Sequence, residues 1–233
     1  MVREDPKSRR NRLLETAAEL FVRHGFDKTT VADVAREAGV GKGSVYLHFE
    51  SKEALLEALM LRELNALSER WYEAVIADPR GGTLGGMYKA TLLGLHGSPF
   101  MAALMTRDTA LLGRYIRRPG NIFLAASRGH HTRHEVVALM QAAGAVRDDI
   151  DAKVVAHVMN MISYGMISVD GVVPSDQIPS LEETLDGVAT IMDRALTPPD
   201  VQAASDAGKA VLTEVYTAAR SRLDALMASQ EKQ

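Results

Sequence analysis

Apolar residues recur every three to four positions through almost the whole of this chain, and no stretch alternates apolar with polar for long. That period belongs to amphipathic helices, because a helix returns to one face about every 3.6 residues and a strand every second residue. Leu13, Leu14, Ala17, Leu20 and Phe21 predict a first helix over 8–24, closed by Gly25, with Phe26 placed to fold back onto Phe21. Leu55, Leu56, Leu59, Leu64, Leu67 and Trp71 mark a long helix over 52–77, which Ser51 caps and Asp78 to Gly82 break. At about 1.5 Å per residue it spans roughly 39 Å, enough to leave one domain and enter another. Further helices are expected over 83–96, 99–117, 119–143, 149–170, 180–196 and 200–229, separated by glycine and proline. The expected fold class is all-α, with a small domain over 1–51 and a larger helical domain over 52–233. Six glycines between 81 and 97 leave two readings open, a helix that shifts or unwinds and a helix packed closely on its neighbours.

Residues 29–56 carry the densest local pattern. Thr30 stands where a helix N-cap is needed, and Asp33 three residues on can return a bond to the Thr30 amide. Val34, Ala35 and Ala38 then form an apolar face, and Gly39 closes the helix. A second short helix is expected over 42–49, with Val45 and Phe49 as its buried stripe. Its other face holds Lys42, Ser44, Tyr46, Leu47 and His48, a mixture poorly suited to a core. Two short helices joined by a tight turn, the second polar and slightly basic, describe a helix-turn-helix that enters the DNA major groove.

Residues 10–57 resemble the N-terminal domain of tetracycline-repressor-type (TetR family) transcription regulators. The resemblance rests on Ala17 to Phe21, His24 to Phe26, Thr29-Thr30, Val34, Ala35, Ala38, Gly39 and Val40, then Tyr46, His48-Phe49 and Ser51-Lys52-Glu53. Family members commonly carry Ser or Thr where this chain has Gly41, so a hydroxyl that can touch phosphate is missing. The resemblance supports Thr30, Tyr46 and Lys52 as phosphate contacts; helix N-termini independently favour Thr30 and Lys52. Lys42, Ser44 and His48 are the candidates for base edges, with Gly43 allowing close approach and Leu47 facing a thymine methyl or supporting the head's own core. Arg9, Arg10 and Arg12 make up a basic arm. One such head makes few contacts, so a homodimer on a palindromic double-stranded operator is expected. Val154, Val158 and Ile162 on one helix and Leu181, Leu185, Val188 and Met192 on another are the candidate dimer interface, matching the four-helix interface the resemblance implies; core within the subunit is the other reading of these faces.

The formal charge of −3 divides unevenly: residues 1–52 hold ten Lys/Arg and eight Asp/Glu, the remainder seventeen and twenty-two. A weakly positive head on an acidic body fits a DNA reader that relies on placed contacts rather than long-range steering. With no cysteine there is no disulfide, thiolate metal site or cysteine nucleophile. The charged start lacks a signal core and no run reaches membrane-span length, so a soluble, cytoplasmic protein without membrane attachment is expected. Gly39 to Ser44 lacks the strand and register of a phosphate loop, and no other catalytic or cofactor fingerprint is present. No enzyme activity and no cofactor are expected.

Regulators of the TetR type typically bind a small molecule in the second domain and then release DNA. Trp71, Met87, Tyr88, His96, Phe100, Met101, Met105, Phe123, His157, Met161 and Tyr164 are the candidate pocket, bulky and adaptable with few polar handles; core packing is their ordinary use. The expected effector is largely apolar. Six arginines between 107 and 134, Arg133 among them, against the single Asp108 also admit an anionic one. His130, His131 and His134 have helical metal-ligand spacings, although an exposed polar face explains them equally, and no metal site is expected. The expected function is a repressor relieved by a small-molecule effector. The alternative is a ligand-insensitive DNA-binding dimer that activates or recruits a protein partner.

Overall fold

The computed structural model describes residues 5–106, 108–118, 121, 132–168, 174 and 177–230, and all their regular structure is helical. In order these are α1 (Pro6–His24), α2 (Val31–Glu37), α3 (Lys42–Tyr46), α4 (Lys52–Ala77), α5 (Leu84–His96), α6 (Pro99–Thr106) and α7 (Thr109–Leu112). A 3-10 turn (Gly113–Arg117) follows, then α8 (Arg133–Ala142), α9 (Ala152–Ser168), α10 (Leu181–Leu196) and α11 (Val201–Gln230). The described residues fall into two compact units, one drawn from Met1–Asn65, Pro99–Arg128 and Leu223–Gln233, the other from Ala66–Ser98 and Gly129–Arg222. The first unit is therefore larger than the expected domain over 1–51.

In the first unit capping chemistry sets the starts of α1 and α2. Asp5 accepts from the Ser8 amide and Pro6 opens α1. Thr30 and Asp33 complete the expected capping box of α2. Gly25 and Gly39 take the left-handed turns, at φ 80° and 66°. Phe26 folds back as expected, its ring 5.5 Å from that of Phe21 and 5.9 Å from Tyr115. The Tyr115 contact explains the enlarged unit: the head's apolar cap is closed by residues that follow α7. Within α7 itself, the Leu111 carbonyl accepts from the Phe26 amide at 2.7 Å. The continuous helix expected over 99–117 is broken, because Asp108 caps Ala110 and Gly113 turns left-handed at φ 54°. A Cβ at Gly113 would stand 2.6 Å from the Asp27 carboxylate.

In the second unit Val75, Leu84, Tyr88, Val137, Met140, Val155, Met159, Leu185, Met192 and Leu212 share one core. The glycine-rich segment resolves toward close packing. A Cβ at Gly81, Gly82, Gly85 or Gly86 would stand 1.9, 1.8, 2.4 or 2.1 Å from the carbonyl oxygens of Val75, Ser205, Ala189 and Arg80. Only glycine admits such approach of one backbone to another. Buried Asp193 secures the same junction, accepting from the Gly85 amide at 3.0 Å and from Arg80 at 2.8 Å. Of the helix expected over 119–143, Arg133–Ala142 is described, opened by a Thr132–Glu135 capping box; residues 122–131 lie outside the described residues.

Candidate nucleic-acid interface and ligand cleft

The second helix of the helix-turn-helix is shorter than expected, five residues rather than eight, because Leu47 caps it and His48 continues as a turn. Val45 is fully buried and Phe49 nearly so, which fixes the helix by its inward side. Lys42, Gly43, Tyr46 and Leu47 are exposed, and Ser44 and His48 half-buried, so the candidate residues share the outer surface of this segment. Leu47 is 83% exposed, which removes the reading that it supports the head's own core. A Cβ at Gly41 or Gly43 would meet nothing within 4 Å, so the helix start is open to an approaching backbone. The Lys42 ammonium lies 5.8 Å from the centre of the Tyr46 ring.

Two candidates have internal duties. Lys52 donates to the carbonyls of Phe26 and Thr29 at 2.7 and 2.9 Å, with its ammonium 4.1 Å from the centre of the Phe26 ring. Burial pushes its pKa down, with Glu53 and Asp27 opposing. Lys52 is thus a staple between α4 and the turn before α2, with two of its three donors committed inside the head. The Thr30 hydroxyl donates to Asp33 at 2.6 Å and accepts from the Asp33 amide at 3.2 Å, so its first duty is the cap. The arginines do not form an arm, since all three lie within α1. Arg12 donates to the Ala38 carbonyl and Arg10 sits 5.2 Å from the centre of the Phe49 ring. Burial, then the charges of Arg9 and Arg10, hold the His48 pKa below its usual 6.5, which favours a neutral imidazole.

The second unit contains a cleft of about 430 Å³. Trp71, Met87, Val136, Met159, Leu212 and Val215 form its apolar wall, and Tyr88, Thr91, Arg133 and Asn160 its polar edge. Three of the eleven expected pocket residues, Trp71, Met87 and Tyr88, meet there. Phe100 and Met101 are buried in the first unit instead, His96 and His157 are exposed, and Met161 and Tyr164 are 61% and 53% exposed. The Met105 side chain and Phe123 lie outside the described residues. Periodicity could not separate these cases, since a methionine on an outward face repeats at the same spacing as one turned inward. Leu212 and Val215 were not among the expected pocket residues, and Arg133 was one arginine among six.

Met161 and Tyr164 share the outer face of α9 with Val154 and Val158, which are 54% and 48% exposed. Ile191 on α10, absent from the expected interface, is 70% exposed. Leu185 and Met192 do not reach this outer surface; both are buried in the core of the second unit. Ile162, Leu181 and Val188 pack partly against that core. Among the described residues no three metal-ligating side chains cluster, and His130 and His131 lie outside them. The described helices include none long and apolar enough to cross a membrane.

Comparison with known proteins agrees with this geometry. Residues 13–59 match the family described as bacterial regulatory proteins, tetR family. Over 68 residues the chain is 43% identical to the HTH-type transcriptional repressor KstR2 of Mycolicibacterium smegmatis, covering 29% of this chain and 33% of that one. The matched part is thus about a third of that relative's length. It is 26% identical over 166 residues to the probable acrEF/envCD operon repressor of Escherichia coli K12, covering 68% and 74% of the two chains. The transcriptional regulator FadR from Bacillus subtilis, solved in complex with stearoyl-CoA, has the same fold at 17% identity, with a TM-score of 0.56 over 78% of this chain and 96% of that one. These relatives are regulators, not enzymes. The chain therefore carries a helix-turn-helix head of the TetR type, joined to a helical body of the fold found in such regulators, and resembles the TetR family of bacterial transcription regulators.

Proposed function

We propose that this protein is a one-component transcriptional repressor that binds a palindromic operator as a homodimer and is released by a small-molecule effector. The observation that carries the proposal is the outer surface of α3 and its following turn. Lys42, Ser44, Tyr46, Leu47 and His48 are held outward by the burial of Val45 and Phe49, with no side chain at Gly41 or Gly43 in the way. Lysine suits guanine acceptors, serine is permissive, and an exposed leucine suits a thymine methyl. Tyr46 and the first amides of α2 serve phosphate contacts.

Dimerisation supplies the second head. The apolar outer face of α9, with Ile191 of α10, is the surface we assign to it, because exposed apolar groups of this size signal an interface. The cleft beside Trp71 supports an effector and weighs against the ligand-insensitive reading, which calls for a filled second unit. Ligand acts only through its different affinity for the DNA-competent and released arrangements. In released protein the two recognition helices lose the spacing of about one DNA turn, ~34 Å.

Selection from a pool of random duplexes tests the proposal. The expected product is an inverted repeat with half-sites one turn apart, bound by two chains; a pool that stays unenriched with folded protein contradicts it.

A further inference from the structure

The polar edge of the cleft is one-sided in its hydrogen bonding. The Tyr88 hydroxyl donates to the Met159 carbonyl, so the Ser163 hydroxyl, 2.7 Å away, donates to Tyr88 and is left to accept from Arg133. Arg133 also donates to the side-chain oxygen of Asn160. A guanidinium has no acceptor, so this contact fixes the Asn160 amide with its NH2 as the remaining group. Both of these Arg133 bonds run through one of its terminal nitrogens. Among the described residues, its Nε and second terminal nitrogen, with the Asn160 NH2, are the donors left over. Among the described residues no carboxylate pairs with Arg133, although it is half-buried with its carbon centre 5.6 Å from the centre of the Tyr88 ring. The facing wall, from Trp71 to Leu212, is apolar.

Resting on the reading of this cleft as the effector site, we infer that its ligand is an apolar carboxylate whose head group accepts from Arg133 and Asn160. Its hydrocarbon or aromatic body lies against Trp71, Met87 and Leu212. A carboxylate is acceptor-only and matches the planar fork of arginine, whereas an alcohol supplies a weaker acceptor and an amine repels the charge. A volume of about 430 Å³ suits a small organic acid.

Trp71 is the sole tryptophan and donates from its indole nitrogen to Thr91 at 3.0 Å, so its emission reports this cleft. The full chain is titrated with octanoate, 4-phenylbutyrate, 1-octanol and octylamine. The expected result is saturable change with both acids and at least about tenfold weaker binding of the alcohol and amine. Arg133→Gln is expected to erase the preference for acid over alcohol, with an unchanged helical circular-dichroism spectrum showing that the variant is folded. Equal binding of acid and alcohol, silence of Trp71 toward both acids, or a retained acid preference in Arg133→Gln overturns the inference. Operator affinity in the same samples separates the two readings. Carboxylate binding through Arg133 without DNA release refutes effector control but leaves this site standing. Intact operator binding with no acid preference refutes the site and leaves the DNA reading standing.

Discussion

Single side chains in the head divide into those that build it and those that face outward. Lys52 belongs to the first group, because its ammonium satisfies two carbonyls at the turn that presents α2. Lys52→Met leaves both without that donor and is expected to cost about 2 kcal/mol of stability, read as a lowered urea midpoint. Tyr46 is 47% exposed and belongs to the second. Tyr46→Phe is expected to leave the urea midpoint unchanged and weaken operator affinity about fivefold, measured by fluorescence anisotropy. His48 carries a pH signature. Its folded pKa is depressed by burial and by Arg9 and Arg10, so the unfolded chain binds a proton near 6.5 while the folded head resists it. Stability therefore falls as pH drops below about 6.5 and is undiminished above. His48→Gln is expected to flatten that acid limb in urea titrations at stepped pH.

At the scale of elements, what the sequence made legible depended on whether the signal was local. Caps and closing glycines are local chemistry, so Thr30, Gly25, Gly39 and the bounds of α4, Lys52–Ala77, were readable from residue types alone. The end of α3 was not, because Val45 and Phe49 continue a helical spacing through a turn that Leu47 had already begun. The turn at Gly113 likewise meets Asp27, distant in sequence. The glycines of 81–86 were conspicuous but ambiguous until the backbones they meet were known. Gly82→Ala places a methyl 1.8 Å from the Ser205 carbonyl and is expected to cost about 3 kcal/mol or more, measured by thermal or urea unfolding. Unchanged stability contradicts the close-packing account. Of the residues expected in a pocket, Trp71, Met87 and Tyr88 meet at the cleft because they sit on helices whose inward face was clear. Phe100, Met101, Met161 and Tyr164 were not, since spacing identifies a face without saying what that face meets.

For the whole molecule, the proposed recognition of a palindromic operator needs two heads held at a fixed separation. Met161→Glu combined with Ile191→Glu places charge at two exposed apolar positions, one on α9 and one on α10. Sedimentation of this variant is expected to show monomers that keep their helicity and lose at least about tenfold in operator affinity. A dimer that survives both charges moves the interface elsewhere. The central claim, that the outer surface of α3 reads DNA, is tested most directly by titrating the selected duplex with wild type and Lys42→Ala across a salt series. Binding is expected to weaken steeply with salt, and Lys42→Ala to lose about tenfold or more together with discrimination at one base position. Salt-insensitive binding, or a Lys42→Ala variant that matches wild type in affinity and sequence preference, contradicts the claim.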